Sequence, residues 1–282
     1  MMGGDVKSGL VVANDQELYY EVHGKGKPLL LIQGLGVDSS GWAMQIPVFA
    51  EQFQVIVFDN RDVGQSSRAG GAYDVADMAD DAAALMDSLK VERAHVVGVS
   101  MGGLIAQELV LRHPQKVDRL VLGCTFGKIS TSIAFNLRVW SWIKQRDSEN
   151  EIFPLAGMPW TVSRELLGNA SGVNQMLLEM RSQPFPQSEE AYARQVAATS
   201  RFNAKDRLGA VEAETLVLVG EQDIITPPWM SRELAEAIPG AVLQVLEGKG
   251  SAHAFMWEMR DAFNGAVLDF LTAKKMKEKL SN

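Results

Sequence analysis

The stretch that decides the fold is residues 96–104, which read VVGVSMGGL. An apolar run typical of a buried strand ends just before Ser100, and a helix-like pattern begins just after it. Ser100 therefore lies in a tight strand-to-helix turn, which needs small residues two positions before and after it, and Gly98 and Gly102 stand there. Such a turn presents the serine hydroxyl at a helix N-terminus, where the Met101 N–H can donate to a developing oxyanion. We predict that Ser100 is a nucleophile.

Short apolar runs alternate with helix-like segments on both sides of this turn. Strands are predicted for residues 18–22, 29–33, 55–58, 94–99, 120–122, 215–219 and 242–246, and helices for residues 42–50, 76–89, 104–112, 231–237 and 255–272. Continuous apolar runs are typical of strands that are buried on both faces, as in a parallel sheet. The alternation predicts an α/β fold with a mainly parallel sheet flanked by helices.

The pattern changes between residues 125 and 207, where the strand signals stop. Tryptophans, prolines and amphipathic stretches replace them, and short helices are predicted for residues 136–144, 165–167, 174–181 and 189–199. No Gly/Ser-rich or Pro-rich linker sets this segment apart from the rest. We therefore predict one core domain, residues 1–124 and 208–282, with a helical cap, residues 125–207, inserted into it.

A serine hydroxyl needs a base, and the chain has 4 histidines. His95 lies within a strand run, His113 at a helix end and His23 before a turn, so packing or capping accounts for each. His253 lies instead in a loop of small residues between the last predicted strand and the last predicted helix. Loops after parallel strands open at the carboxyl edge of the sheet, where Ser100 is also presented. His253 is therefore the predicted base.

The acid that orients this histidine should follow another strand. Asp223 comes a short turn after the apolar run 215–219, and the neighbouring Glu221 is interpreted as a turn residue. Asp118 precedes its strand and therefore falls at the opposite edge of the sheet. Asp223 would hold one tautomer of His253 and stabilise the imidazolium formed during attack. The chain order Ser100, Asp223, His253 is the order expected with a nucleophile turn of this kind.

The loop after residues 29–33 should supply the second oxyanion donor, and we assign that role to the Leu35 N–H. Gly34 in the same loop is expected to contact the substrate. The predicted cap carries aromatic residues that could line an apolar chamber above the serine: Phe126, Trp140, Trp142, Phe153, Trp160 and Phe185. Phe126, Trp140 and Trp160 are the predicted substrate contacts, with packing of each ring against the sheet as the alternative.

Composition excludes several classes of protein. A formal net charge of −8 argues against a nucleic-acid partner, and the basic tail is interpreted as a solvated helix end: Lys274, Lys275, Lys277 and Lys279. The single cysteine, Cys124, cannot form an intrachain disulfide and is expected to be buried. With no secretory signal and no apolar run of about 18 residues, we expect a cytoplasmic protein that has no membrane partner.

The expected partner is a small-molecule substrate. The histidines are scattered and the cysteine is single, so no metal-ligand spacing is present and no metal site is predicted. Neither a phosphate-binding loop nor a dinucleotide fingerprint occurs, so no cofactor is expected. The expected oligomeric state is a monomer or a homodimer.

Five segments together resemble the α/β-hydrolase superfamily: residues 33–36, 58–67, 98–103, 220–223 and 250–253. The resemblance implies a mainly parallel α/β sheet of eight strands, with the helical cap inserted after the sixth strand. Within this superfamily, the chain is similar to small-molecule carboxylesterases, including those grouped with 3-oxoadipate enol-lactonase and polyketide methylesterases. Two positions depart from the common pattern, because Gln33 stands where many relatives have histidine and Asp62 where many have glycine. The serine at position 100 also separates the chain from haloalkane dehalogenases and epoxide hydrolases, which have aspartate there.

The residues and the resemblance together predict a serine hydrolase that cleaves a small carboxylic ester or lactone through an acyl-enzyme on Ser100. Two alternatives stay open. One is hydrolysis of a carbon–carbon bond in a ring-cleavage product by the same three residues, and the other is a ligand-binding receptor that turns over slowly. The sequence does not identify the substrate, because the predicted cap would shape the pocket.

Overall fold

The computed structural model describes residues 6–274, and these residues contain one eight-stranded sheet. The strands are β1 Lys7–Ala13, β2 Gln16–His23, β3 Lys27–Ile32, β4 Phe53–Phe58, β5 Ala94–Val99, β6 Val117–Gly123, β7 Glu214–Gly220 and β8 Val242–Leu246. Their order across the sheet is β1-β2-β4-β3-β5-β6-β7-β8. Strands β1 and β2 are antiparallel to their neighbours, and the remaining strands pair in parallel. The predicted mainly parallel α/β fold is confirmed.

Helices cover both faces of this sheet. They are α1 Ile46–Phe49, α2 Val75–Ser88, α3 Met101–Arg112, α4 Thr131–Lys144, α5 Ile152–Thr161, α6 Arg164–Leu167, α7 Ala170–Arg181, α8 Glu189–Ser200, α9 Pro228–Ala237, α10 Phe255–Glu258 and α11 Arg260–Thr272. Because side chains alternate along a strand, Leu30 and Val96 pack with α2, α3 and α9, whereas Leu29 and Val97 pack with α1 and α11. The two apolar faces explain the continuous apolar runs of the central strands.

Strand β1 is missing from the sequence-based prediction. Lys7, Ser8 and Gly9 open it, so its apolar pattern is short, and it lies at the edge of the sheet with much of one face exposed. The hairpin to β2 turns through Asn14 and Asp15, whose φ angles are 49° and 60°. Two consecutive positive φ angles are typical of a type I′ turn, and Asn and Asp tolerate them better than most residues.

Three helix predictions need correction. The helix predicted at residues 42–50 is only the single turn α1, preceded by a 3-10 turn at Ser39–Trp42. Helix α5 was not predicted, because Pro154 and Pro159 lie within it and disrupt a helical pattern. The closing helix is interrupted at Met259, whose φ of −114° and ψ of 39° are not helical. The interruption leaves the Glu258 carboxylate accepting hydrogen bonds from the Ser163 N–H (2.9 Å) and hydroxyl (2.5 Å).

Five helices, α4 to α8, lie between β6 and β7, which confirms the predicted insertion after the sixth strand. These helices share the core of the sheet domain. Ile133 and Leu137 of α4 and Tyr192 and Val196 of α8 belong to the hydrophobic cluster that covers one sheet face. The limits of a cap at residues 125–207 therefore stay a prediction about domain organisation.

Within residues 6–274, no helix has the length and the apolar character needed to cross a membrane. Of the four lysines in the basic tail, Lys275, Lys277 and Lys279 lie outside the described residues, so their predicted position at a helix end is untested.

Candidate active site

Ser100 lies in the turn between β5 and α3, with a backbone φ of 54° and ψ of −123°. A positive φ is costly for a residue that has a side chain, so the surrounding structure must hold the turn. The Ser100 N–H donates to the Gly123 carbonyl at 2.9 Å. Both flanking glycines are required, because a Cβ on Gly98 would lie 2.3 Å from the Gly102 carbonyl oxygen and one on Gly102 would lie 2.1 Å from the Ile32 carbonyl oxygen.

The structure brings the three residues of the predicted triad into one hydrogen-bonded chain. The His253 Nε2 lies 3.1 Å from the Ser100 Oγ, and the Nδ1 lies 2.8 Å from the Asp223 Oδ2. Ser100 comes directly after strand β5, Asp223 follows β7, and His253 follows β8. All three therefore come from the carboxyl edge of parallel strands, which is where we expected them.

The Asp223 carboxylate is almost fully buried, and four donors surround it. Besides the histidine, the N–H groups of Ile225 and Thr226 donate to Oδ1 at 2.9 Å, and the Thr226 hydroxyl donates to Oδ2 at 2.7 Å. The same hydroxyl lies 3.3 Å from the His253 Nδ1. Hydrogen bonds of this number fix the orientation of the carboxylate. Sequence reasoning missed Thr226, although an aspartate followed by a threonine three positions later is typical of a turn closed by the aspartate side chain.

The two predicted oxyanion donors belong to segments that adjoin the serine: Met101 follows it in the chain, and the turn that contains Leu35 begins at Gly34, beside Ser100. Residues 34–37 form a tight turn in which the Val37 N–H donates to the Gly34 carbonyl (3.3 Å) and Gly36 has a φ of 72°, as at the third position of a type II turn. Within residues 6–274, no acceptor is bound by the N–H of Leu35 or of Met101. Two backbone donors beside a serine are suited to bind the negatively charged oxygen of a tetrahedral intermediate.

Gly34 lies directly against the nucleophile. A Cβ at this position would lie 3.1 Å from the Ser100 Cβ and 3.6 Å from its Oγ, so the missing side chain leaves room for a carbonyl group beside the hydroxyl. The Gly34 N–H is not available to a substrate, because it donates to the Gln33 Oε1 at 3.1 Å. Gln33 is itself buried and therefore supports the turn from within the core.

Three of the six aromatic side chains predicted to line a chamber have a neighbouring partner or face solvent. Phe126 is buried and contacts Phe202 edge to face, so the alternative of core packing applies to it. Trp142 is 56% exposed and carries the Arg146 guanidinium over its ring. Phe185 is also exposed. Phe126, Trp142 and Phe185 thus have local partners or face solvent, and the chamber of six rings stays a prediction.

The other three rings pair with neighbours. Trp140 and Trp160 meet edge to face with their centroids 6.4 Å apart, and Trp160 is partly exposed. Phe153 contacts the buried ring of Tyr192 on α8, with centroids 5.0 Å apart. Trp140 and Trp160 thus remain available as predicted substrate contacts, and that role is not tested by these distances.

The remaining histidines have other partners. His23 lies 2.7 Å from the Glu21 carboxylate, and His113 lies 2.8 Å from Asp80. His95 is buried with its ring edge-on to Phe53, at the amino end of the parallel strands. These contacts agree with the packing and capping functions inferred from the sequence.

The rejected acids also lie where the sequence predicts. Asp118, at the amino end of β6, pairs with Lys27 on β3 and is therefore at the opposite edge of the sheet from Ser100. Glu221 accepts from the Gly248 N–H at 3.4 Å, as a residue of the turn. Neither competes with Asp223 for the histidine.

Cys124 lies directly behind the site, fully buried and with a φ of 41°. Burial, and secondarily the negative charge of Asp223, raise the pKa of its thiol well above the usual value. The thiol is thus held in its protonated, weakly nucleophilic form, as expected for a buried cysteine. In the part of the chain from residue 6 to residue 274, no group of three or more His, Cys, Asp or Glu side chains has an arrangement that could hold a metal ion.

This arrangement defines a serine hydrolase-like site on a parallel sheet, and comparison with known proteins identifies the family. The family model of the alpha/beta hydrolase fold matches residues 27–258. The chain therefore belongs to the α/β-hydrolase fold family.

Several relatives cover almost the whole chain. A protein of Azorhizobium caulinodans named as a carbamate hydrolase, RutD, is 30% identical over 91% of this chain and 95% of its own length. The 3-oxoadipate enol-lactonase 2 of Acinetobacter baylyi is 30% identical over 91% of this chain and 94% of its own. The crystal structure of the enol-lactonase from Burkholderia xenovorans has a TM-score of 0.83 at 28% identity, covering 94% of this chain and all of that one. These relatives support a hydrolase in general terms.

Proposed function

We propose that the protein is a serine hydrolase of small carboxylic esters or lactones that acts through an acyl-enzyme on Ser100. The proposal depends on one observation above all: an unbroken hydrogen-bonded chain runs from the Ser100 hydroxyl through both nitrogens of His253 to the buried carboxylate of Asp223, at 3.1 and 2.8 Å. A nucleophile, a base and an orienting acid at these distances are the requirements of nucleophilic acyl transfer.

In the first step, the Ser100 oxygen attacks the carbonyl carbon while His253 Nε2 takes the hydroxyl proton. The carbonyl π electrons move to oxygen, and the resulting oxyanion is bound by the N–H groups of Leu35 and Met101. Asp223 holds the proton on Nδ1, so Nε2 is the free base, and then stabilises the imidazolium. The intermediate collapses when the alkoxide leaves with the proton from Nε2, which forms the ester of Ser100 and the free alcohol.

In the second step, a water molecule takes the place of the alcohol. His253 removes its proton as it attacks the acyl carbon, and the same two N–H groups bind the second oxyanion. Collapse then breaks the bond to the Ser100 oxygen, which regains its proton from His253. The products are a carboxylic acid and the free enzyme, and a lactone substrate would give a single hydroxy acid.

The relatives favour this substrate class. Two of them are named enol-lactonases, one of them a solved structure similar over nearly the whole chain. Carbamate hydrolysis is a second candidate, because the relative from Azorhizobium caulinodans carries that activity in its name. A carbamate ester carries nitrogen in place of the acyl α-carbon and can lose the same alkoxide, so the two substrates differ in the acyl group and not in the residues required for attack.

The test is hydrolysis of a short-chain p-nitrophenyl ester by the wild type, by Ser100→Ala and by Ser132→Ala, which alters an exposed serine of α4 as a control. We expect Ser100→Ala to lose about 10⁴-fold or more of kcat, whereas Ser132→Ala stays near the wild type. A fluorophosphonate probe should label Ser100, as located by mass spectrometry of the digested protein. Equal turnover by wild type and Ser100→Ala would contradict the proposal.

A substrate panel then ranks esters, lactones, carbamates and a vinylogous diketone by kcat/KM. Preference for the diketone would favour carbon–carbon bond hydrolysis. Tight binding of a ligand with a single slow turnover would favour the receptor alternative. A cytoplasmic location and a monomeric or homodimeric state remain separate predictions, to be tested by fractionation and light scattering.

A further inference from the structure

Helix α8 reaches across to the turn that carries the Leu35 N–H. Gln195 on this helix is completely buried, and its Oε1 accepts from the Gly36 N–H at 3.0 Å. Its Nε2 donates to the Arg61 carbonyl at 3.1 Å, and the Gln187 side chain donates to the same Oε1 at 3.1 Å. One glutamine of α8 thus holds two loops of the sheet domain, one of which contains a proposed oxyanion donor.

The preceding residue on α8 fixes the same region. Both nitrogens of one edge of the Arg194 guanidinium bind the Asp62 carboxylate, Nε at 2.8 Å and Nη2 at 2.7 Å. The Asp62 side chain is fully buried and also accepts from the Ala69 N–H and the Tyr73 hydroxyl, each at 2.9 Å. Burial, and then the charge of Asp62, raise the pKa of the Tyr73 hydroxyl, so it remains a donor.

The ion pair forms at a strained position of the backbone. Asp62 has a φ of 72°, a conformation that favours glycine, so the aspartate is kept at some conformational cost. A bidentate arginine–carboxylate pair orients its partners more strictly than a single contact does. Arg194 and Gln195 are consecutive, so this pair sets the position of the Gln195 side chain along α8.

We propose that Gln195 is a positioning residue for the oxyanion site and that the Asp62–Arg194 pair holds it in register. This inference rests on the proposed function, since it concerns the same serine site. Gln195 acts through Gly36: its Oε1 accepts from the Gly36 N–H and so holds the turn of residues 34–37, which contains Leu35 and begins at Gly34 beside Ser100. A displacement of the order of 1 Å in a catalytic group can cost about a hundredfold in rate.

The main test replaces Gln195 with methionine, which keeps the volume of the side chain and removes the acceptor of the Gly36 N–H. We expect kcat/KM for the ester to fall about 10- to 100-fold, with the loss in kcat and little change in KM. An alkylboronic acid, which forms a tetrahedral adduct with the serine, should bind more weakly by a similar factor. Rates are referred to the concentration of sites titrated with fluorophosphonate, so a smaller folded fraction does not mimic the effect.

Two further variants keep the test independent of folding. Gln195→Glu retains an oxygen that can accept from Gly36 in either protonation state, and we expect it to recover part of the lost kcat. Asp62→Gly removes the ion pair at a position where glycine suits the positive φ, and it should lower kcat and boronate affinity in the same direction as Gln195→Met.

The matched control is Arg201→Met. Arg201 follows α8 and also binds the sheet domain, through the Asp74 carboxylate (2.8 Å) and the Tyr73 carbonyl (2.7 Å), yet it makes no contact with Gly36. We expect this variant to lower the melting temperature at most slightly and to keep the wild-type kcat and boronate affinity. An equal loss of kcat in Arg201→Met would overturn the inference, because general docking of α8 would then be the cause.

The outcomes also separate this inference from the proposed function. If Gln195→Met has the same kcat per titrated site and the same boronate affinity as the wild type, the positioning role is overturned. The proposed function then still stands. A wild type that neither cleaves esters nor reacts with fluorophosphonate overturns the proposed function, and the inference with it.

Discussion

Gly102 sits at the first turn of α3, where the helix passes close to β3. A Cβ added there would lie 2.1 Å from the Ile32 carbonyl oxygen and 2.7 Å from the Gln33 carbonyl oxygen. Both of these are backbone atoms of the sheet and its following loop, so no side-chain rotation can make room. In Gly102→Ala, α3 and β3 must separate by about 1 Å or more before ordinary van der Waals distances are restored.

This strain should reduce the free energy of unfolding by about 3 kcal/mol, the upper part of the range for overpacked cores. For a chain of this size, roughly 2–4 °C of melting temperature corresponds to each kcal/mol, so we expect a decrease of about 6–12 °C. Ser100 begins the same helix and would move with it. We therefore expect its reaction with a fluorophosphonate to slow by about a hundredfold.

Differential scanning calorimetry and the second-order rate constant of fluorophosphonate labelling measure the two effects. Gly265→Ala is the matched control, because a Cβ on this glycine of α11 meets no atom within 4 Å. Alanine there should stabilise the helix by about 0.5–1 kcal/mol and leave labelling unchanged. A Gly102→Ala protein with the melting temperature and labelling rate of the wild type would refute the argument that close backbone contact requires glycine in this turn.

Two further predictions concern charged groups. Asp223→Asn should lower kcat on the ester by about 10⁴-fold, because an amide in place of the carboxylate no longer holds the His253 proton on Nδ1. A kcat within tenfold of the wild type would contradict this role of Asp223. The Arg112 guanidinium, and then His113, lower the pKa of the Asp80 carboxyl below its usual value, so the ionised form stabilises the folded state. This contribution, about 0.5–1 kcal/mol for a partly exposed pair, is present above about pH 4 and is lost as the pH falls through the lowered pKa. The melting temperature of Asp80→Asn should therefore lie below that of the wild type at pH 7 and approach it under acid conditions, and a difference that is constant down to pH 2.5 would refute this explanation.

The central strands could be predicted from the sequence because their signal is local. Residues on both faces of β5 are buried, so an uninterrupted apolar run is enough to identify the strand. Strand β1 was missed for the opposite reason: it lies at the sheet edge, and pairing with β2 stabilises it where its own apolar pattern is weak. Helix α5 was missed because its prolines obscure the pattern, while packing of Met158 against Val162 and Ala254 stabilises it.

The triad could be predicted because strand order and loop position are constrained by topology. Parallel strands place their carboxyl ends at one edge, so Asp223 and His253 could be matched to Ser100 without knowing any distance. The aromatic chamber could not be predicted in the same way. Phe126 contacts Phe202, which is 76 positions further along the chain, and such tertiary packing is not revealed by composition.

The sequence by itself determined the turn at Ser100, because a strand, a glycine-flanked serine and a helix follow one another directly along the chain. The conformation of such a turn depends on these neighbouring residues. Only the tertiary structure decided how the turn of residues 34–37 is supported. Gly36 and Gln195 are separated by 159 positions in the chain, and Asp62 and Arg194 by 132. Contacts of this kind depend on which face of α8 packs against the sheet domain. That orientation is determined by many buried contacts together, so no single segment of the sequence encodes it.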